Sequence, residues 1–212
     1  MKTTTMITIV LMACLAACAQ SAQTNPETTP ERSVGSGCEG CEAVLEYGKK
    51  QLTWTDTLPD FHEPGQKLEI SGTIYERDGK SPAQDVILYI YHTDQTGKYT
   101  RRGNDIGSRH GYIRGWIRTN SDGKYKFYTL KPGAYPEGGN PAHIHPIIKE
   151  PGIQEYWIDE YLFDGDPYLT AKIRRNQQGR GGPGILVTKI DKNGMLITRR
   201  DIILGLNVPG YE

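Results

Sequence analysis

The segment KLEISGTIYE at residues 67–76 shows the alternation of apolar residues from which the fold class of this chain is predicted. Its apolar members Leu68, Ile70 and Ile74 alternate with polar or small residues, and this pattern predicts a β-strand with one buried face. The next four residues, RDGK at 77–80, contain an Asp-Gly pair, which is a strong signal for a hairpin-type turn. The chain therefore begins its folded part with a half-buried strand and a tight turn.

Similar short strands recur along the chain and are separated by turn signals. Further strands are predicted at residues 86–91, 112–119, 125–130, 156–163, 185–190 and 195–203. The sequence contains no long segment with a helical period of apolar residues, and short strands with regular turns are typical of a sandwich or barrel. We therefore predict an all-β protein with a single β-sandwich domain at residues 46–212, in which long loops around 94–112 and 131–142 carry the functional site.

The beginning of the chain has the layout of a secretory signal. A positive start at Lys2 is followed by an apolar run from Met6 to Ala17, and this run is too short for the roughly 20 residues that span a bilayer. It ends in LAAC, and this tetrad resembles the bacterial lipobox, whose cysteine is lipidated. We predict a signal peptide at 1–18 with Cys18 as the lipid-bearing residue; an ordinary secretion signal is the alternative.

Lipidation predicts an exported protein that is anchored to a membrane, on the periplasmic side or at the outer membrane of a bacterium. Residues 19–45 are interpreted as a flexible tether, because their first part is rich in small and polar residues that bury little apolar surface. The tether contains Cys38 and Cys41, whose spacing suits a local disulfide, half a zinc site or a redox pair. Export favours the disulfide.

The charge of the chain indicates which partners to expect. The 25 basic and 25 acidic residues give a formal net charge of zero. A protein that binds nucleic acid normally carries a basic surface, so we expect no nucleic-acid partner.

The densest chemical signal is KPGAYPEGGNPAHIH at residues 131–145. His143 and His145 would face the same side of an extended segment and could meet one metal ion. Two imidazoles alone suit zinc or copper, or simply a solvated strand face. Tyr135 on the preceding loop adds a hard anionic oxygen, whose proton a strongly charged cation can displace. The combination indicates ferric iron.

Several segments together resemble the intradiol ring-cleavage dioxygenases, the family of protocatechuate 3,4-dioxygenase and catechol 1,2-dioxygenase. The segments that carry this resemblance are IYHTDQTGKY (90–99), NSDGKY (120–125), GAYP (133–136), PAHIH (141–145) and LFDGDP (162–167). The resemblance implies one non-haem Fe(3+) per chain, held by Tyr99, Tyr135, His143 and His145. It also implies a reaction in which O2 cleaves a catechol between its two hydroxylated carbons to a muconate-type dicarboxylate. Tyr135 is the ligand expected to leave when the catechol binds, which makes it catalytic as well.

The chain departs from the family pattern at two positions. The family usually has Arg directly before Pro-Ala-His-x-His, where this chain has Asn140, so Asn140 is expected to act on the substrate as an uncharged donor. The family often has Gln where this chain has Glu160. The charge lost at Asn140 could be supplied from another loop by Arg101, Arg102 or Arg114.

Two other interpretations of the sequence stay open. One is an iron- or catechol-binding lipoprotein without turnover, which would keep the metal site and lack the reaction. The other is a non-catalytic β-sandwich module similar to transthyretin, which segment 68–135 also resembles and which needs neither the histidine pair nor Tyr99.

Overall fold

The computed structural model describes residues 30–103 and 109–212. The predicted signal peptide, Cys18 and the first part of the predicted tether lie outside these residues. Twelve strands occur in the described part, in chain order β1 (Thr55–Thr57), β2 (Lys67–Tyr75), β3 (Ile87–His92), β4 (Arg114–Arg118), β5 (Lys124–Leu130), β6 (His143–Lys149), β7 (Tyr156–Trp157), β8 (Tyr161–Phe163), β9 (Ile185–Leu186), β10 (Lys189–Ile190), β11 (Leu196–Arg199) and β12 (Ile202–Ile203). A 3-10 helix at Cys41–Leu45 and a helix α1 at Ala171–Arg175 complete the elements.

The strands form two six-stranded sheets. The first has the order β1-β5-β2-β11-β10, with β12 also paired to β2. The second has the order β4-β3-β6-β8-β9, with β7 also paired to β6. These two sheets confirm the predicted all-β sandwich.

The core between the sheets follows from the alternation in β2. Leu68, Ile70 and Ile74 are fully buried, and they belong to one apolar cluster with Ile144 and Ile148 of β6. Each such side chain stabilises the fold by roughly 1.5–3 kcal/mol when it leaves water. The inward face of β6 is thus committed to the core, and its outward face is available for a site.

The late strands are shorter than the sequence predicts. The predicted strand at 156–163 is divided into β7 and β8, because residues 158–160 between them do not belong to a strand. The carboxylate of Asp159 is buried and accepts a hydrogen bond from the backbone N–H of Gly179 at 2.7 Å. The predictions at 185–190 and 195–203 likewise each correspond to two short strands. The 3-10 helix, β1 and α1 have no counterpart in the prediction, and of β6 only the extended segment at His143 and His145 was expected.

The described part of the expected tether differs from a flexible segment. Cys41 and Val44 of the 3-10 helix are buried, and they pack against Trp116 and Ile147 on the outward face of the second sheet. The indole N–H of Trp116 also donates to the carbonyl of Ala43 at 3.1 Å. Small apolar side chains that fit an aromatic surface therefore order this segment, which composition alone does not reveal.

Cys38 and Cys41 form a disulfide within this packed segment, and their Cα atoms lie 5.5 Å apart.

In the part of the chain that the structure describes, no helix has the length and apolar character needed to cross a membrane.

Candidate metal centre

The two histidines of the candidate site lie on β6, where alternate side chains point to opposite faces. Ile144 is fully buried in the core, so His143 and His145 project from the outward face of the second sheet. The Nδ1–H of His143 donates to the carbonyl of Pro141 at 2.7 Å. This bond selects the tautomer of the neutral ring in which Nε2 carries the lone pair that a metal would bind.

His145 is held by its neighbours on the same face. Tyr91 of β3 pairs with it across the sheet, and the two rings stack with centroids 4.6 Å apart. Glu160 places a carboxylate oxygen 3.7 Å from Nδ1 of His145. Burial lowers the pKa of His145 well below its usual value, and repulsion from His143 lowers it further. Both effects keep the His145 imidazole neutral, as metal ligation requires.

Tyr99 and Tyr135 lie on two loops that are joined through their backbones. The N–H of Gly133 donates to the carbonyl of Asp94 at 3.0 Å, and the hydroxyl of Thr93 donates to the carbonyl of Gly133 at 2.8 Å. Gly97 lies so close to the second loop that a Cβ atom there would be 1.9 Å from the carbonyl oxygen of Ala134. The tight contact at Gly97 holds the two loops together, and so it keeps Tyr99 close to Tyr135.

The four predicted ligands meet in a closed ring of donor atoms. The Tyr99 hydroxyl lies 2.9 Å from the Tyr135 hydroxyl and 3.0 Å from Nε2 of His145. Nε2 of His143 lies 3.2 Å from the Tyr135 hydroxyl and 3.0 Å from Nε2 of His145. Two ligands that are each about 2.0 Å from a metal lie roughly 2.8–3.3 Å apart at ordinary coordination angles. The ring therefore has the dimensions of one metal's coordination sphere.

The chemistry of these donors fits a hard, highly charged cation. Burial raises the pKa of the Tyr99 phenol well above its usual value, and the hydrogen bond with Tyr135 raises it further. A phenol in this environment loses its proton only to a strong cation. Among the described residues, no group of three or more His, Cys, Asp or Glu is placed to hold a metal, so the mixed tyrosine and histidine set is the candidate centre.

A cavity of about 260 Å³ opens beside the donor ring and is lined by Tyr135, Asn140, His143, His145 and Glu160, among others. This volume is just below the range of about 300–1,000 Å³ for drug-sized ligands, and it suits a single aromatic ring. Tyr135 faces the cavity, whereas Tyr99 does not line it. A small ligand entering here meets Tyr135 and the two histidines first.

The arginines that could replace the missing charge at Asn140 do not line this cavity. Arg102 forms an ion pair with Glu63, and Arg114 forms one with Glu46. Arg101 is exposed and also lies outside the cavity lining. Asn140 is itself exposed at the cavity wall, so the wall beside His143 carries an amide and no cation.

Two further residues support the site, and neither was predicted from the sequence to have a role there. The carboxylate of Asp166 accepts a hydrogen bond from the N–H of Ala142 at 3.2 Å and so fixes the approach to His143. Tyr91 stacks on His145 on one side and on His110 on the other, with the latter centroids 3.7 Å apart. The period-two alternation of β3 would have placed Tyr91 on the outward face, but only the strand register puts it opposite His145.

Known proteins that are similar to this chain are dioxygenases. A family model described as a dioxygenase matches residues 45–194. Catechol 1,2-dioxygenase 2 of Acinetobacter lwoffii is 30% identical over an alignment that covers 53% of this chain and 45% of that protein. The protocatechuate 3,4-dioxygenase beta chain of Burkholderia cepacia is 26% identical, with 50% and 48% covered. The chain thus spans about half the length of the curated relatives it matches.

Among solved structures, the dioxygenase domain of a dioxygenase and carbohydrate-binding protein fusion from Streptomyces sp. SirexAA-E superimposes with a TM-score of 0.55. It shares 24% sequence identity, and the superposition covers 83% of this chain and 97% of that domain, which shows a common fold. The chain belongs to the intradiol dioxygenase family. Members of this family use non-haem iron.

Proposed function

We propose that this chain is a non-haem ferric dioxygenase that cleaves the ring of a catechol between its two hydroxylated carbons. The observation that carries the proposal is the closed ring of four donor atoms, 2.9–3.2 Å apart, beside a cavity of single-ring size. Catechol and one O2 would give one cis,cis-muconate-type dicarboxylate, with one carbon–carbon bond broken and both oxygen atoms kept in the product.

The four donors would hold one ferric iron, with Tyr99 and Tyr135 as phenolates and His143 and His145 as neutral imidazoles. Ferric iron, when bound, would draw electron density from the two catechol oxygens and so activate the ring toward O2. The contribution of the protein is to keep the donors in place and to orient the ring. The bond from His143 to Pro141 and the stacking of Tyr91 on His145 supply that rigidity.

Tyr135 is the donor best placed to make way for a substrate. It lines the cavity, and the loop that follows it contains Gly138 and Gly139, both at positive φ. As the catechol enters, the phenolate oxygen of Tyr135 would accept one catechol proton and leave the donor ring as a neutral phenol. Tyr99 does not line the cavity and would stay bound.

Asn140 would donate a hydrogen bond to the substrate from the cavity wall. Loss of one donor that stabilises developing charge typically slows a reaction about 100- to 1,000-fold. An amide in place of a cation therefore favours a slow enzyme, and it is the specific observation that keeps a catechol-binding protein without turnover as the second candidate.

Turnover with labelled oxygen separates the two candidates. The full chain, supplied with ferric iron, is mixed with catechol under ¹⁸O2, and the product is analysed by mass spectrometry. We expect muconate with two labelled atoms from the enzyme, and the variant Asn140→Arg should raise the rate about tenfold or more. A spectral shift on binding without any product would identify the binding protein instead.

Substitution of Tyr135 tests its role within the same experiment. Tyr135→Phe should lower turnover at least about 100-fold, because the variant lacks the proton acceptor. Tyr128→Phe is the matched control, because Tyr128 lies on β5 of the other sheet and touches none of the donors. Equal rates for Tyr135→Phe and the unaltered chain would remove Tyr135 from the mechanism.

We also propose that the chain is exported and anchored through a lipid on Cys18. The support is the sequence pattern of residues 1–18, which ends in LAAC. Labelled fatty acid should be incorporated into the chain when it is expressed in a Gram-negative cell, and the Cys18→Ala variant should carry no label. Label in the variant would contradict the assignment.

A further inference from the structure

The formal charge on the wall of the substrate cavity comes from a single side chain. Of the residues that line it, Glu160 alone carries a formal charge at neutral pH, since the other polar members are Tyr135, Asn140 and the two histidines. Its side chain is 44% exposed, and the His145 ring is the basic group within ion-pair distance of it in the described part of the chain. Among the residues that line the cavity, the one acidic side chain is therefore not matched by a lysine or arginine.

A second cavity lined by His145 has the same character. It measures about 190 Å³, and it shares Glu160 and His145 with the first cavity. Its second carboxylate belongs to Glu39, whose partner Arg109 is not among the residues that line the cavity. Residues 104–108, which the structure leaves undescribed, read Asn-Asp-Ile-Gly-Ser and contain no cation.

The position of Glu160 is fixed by the backbone around it. It lies directly before β8, and its carbonyl oxygen would be 2.4 Å from a Cβ atom at Gly184, so β9 is packed closely against it. A carboxylate oxygen of Glu160 also lies 3.7 Å from Nδ1 of His145, which is a member of the donor ring. The backbone of Glu160 is thus held in place, and its side chain lines both cavities.

The geometry points to a cavity that selects catechols with a neutral or ammonium-bearing ring substituent and rejects those with a carboxylate, and Glu160 is the residue that sets this preference. A substrate carboxylate would lie near Glu160 with no cation of the described residues lining the wall, whereas an ammonium group would find an opposite charge. This inference rests on the proposed function, because it assumes that catechols bind in this cavity.

Equilibrium binding without turnover tests the inference. The full chain, loaded with ferric iron and kept free of O2, is titrated with catechol, with its aminoethyl derivative dopamine and with its carboxylate derivative protocatechuate. We expect dissociation constants that rise from dopamine to catechol to protocatechuate, by about tenfold at each step. In Glu160→Gln, dopamine should bind about tenfold more weakly and protocatechuate about tenfold more tightly.

Glu155→Gln is the matched control, because it removes the same charge from a partly exposed position that lines neither cavity. It should keep the order of the unaltered chain. If protocatechuate binds as tightly as dopamine, or if Glu160→Gln leaves the order unchanged, the inference is wrong while the proposed function stands. If none of the three catechols binds, both are wrong.

Discussion

The two halves of the donor set are held in place by different parts of the molecule. His143 and His145 lie on β6, a strand that is hydrogen-bonded to β3 on one side and to β7 and β8 on the other. Tyr99 and Tyr135 lie on loops that meet at Gly97 and Gly133. The strand half is fixed by the sheet, and the loop half depends on a few backbone contacts. A donor that must leave during a reaction is expected on the loop half, where Tyr135 lies.

Removing a donor from the strand half should have the largest effect. His145→Ala leaves the core face of β6 intact, so the variant should fold and should lose ferric iron, with at least about 100-fold weaker metal affinity. Iron content and circular dichroism of the purified variant check this expectation. His62→Ala is the control, because His62 is exposed and its ring contacts Phe61, which is not one of the four donors. An iron-replete His145→Ala protein would place the metal elsewhere.

The contact between the two loops provides the next test. Gly97→Ala would place a Cβ atom 1.9 Å from the carbonyl oxygen of Ala134 and should push the loops apart. We expect about 10- to 100-fold weaker iron binding and a loss of stability of about 3 kcal/mol.

Gly103→Ala separates this clash from backbone strain. Gly103 also has a positive φ, of 61°, but nothing lies within 4 Å of the added atom. Its cost should be about 1 kcal/mol, with unchanged iron binding. If both variants bind iron equally well, the Gly97 contact does not position the tyrosines.

The sequence predicts the strand half better than the loop half. The alternation in 67–76 and the His-x-His pair are local patterns: the first predicts β2 nearly residue for residue, and the second predicts the extended segment at the start of β6. The contact of Gly97 with Ala134 joins residues that are far apart in the chain, and no local pattern reveals it. The same holds for the packing of Val44 on Trp116, and for Glu160, whose place between two cavities depends on the register of β8 with β9.

The smallest predicted effect is a change of stability with pH, and it depends on His110. His110 stacks on Tyr91, and burial lowers its pKa to about 4, with further lowering by Arg109 and Arg114. The unfolded chain takes up a proton near pH 6.5, whereas the folded chain does so only near pH 4, so stability is lost as the pH falls through this window.

At pH 5.5 the loss should be about 1 kcal/mol relative to pH 7.5. Chemical denaturation at the two pH values measures it, and His110→Asn should reduce the difference by about that amount. His62→Asn is the control and should leave the difference unchanged. An identical pH dependence in His110→Asn would show that His110 is not the group responsible.

The proposed centre consists of two tyrosines and two histidines that hold one ferric ion. The metal content of the purified full chain, together with its visible and resonance Raman spectra, tests this directly. We expect about one iron per chain, a red-brown tyrosinate-to-iron band, and tyrosinate vibrations that weaken in both Tyr99→Phe and Tyr135→Phe. A colourless chain that contains no iron after ferric loading, or one that binds zinc without the band, would contradict it.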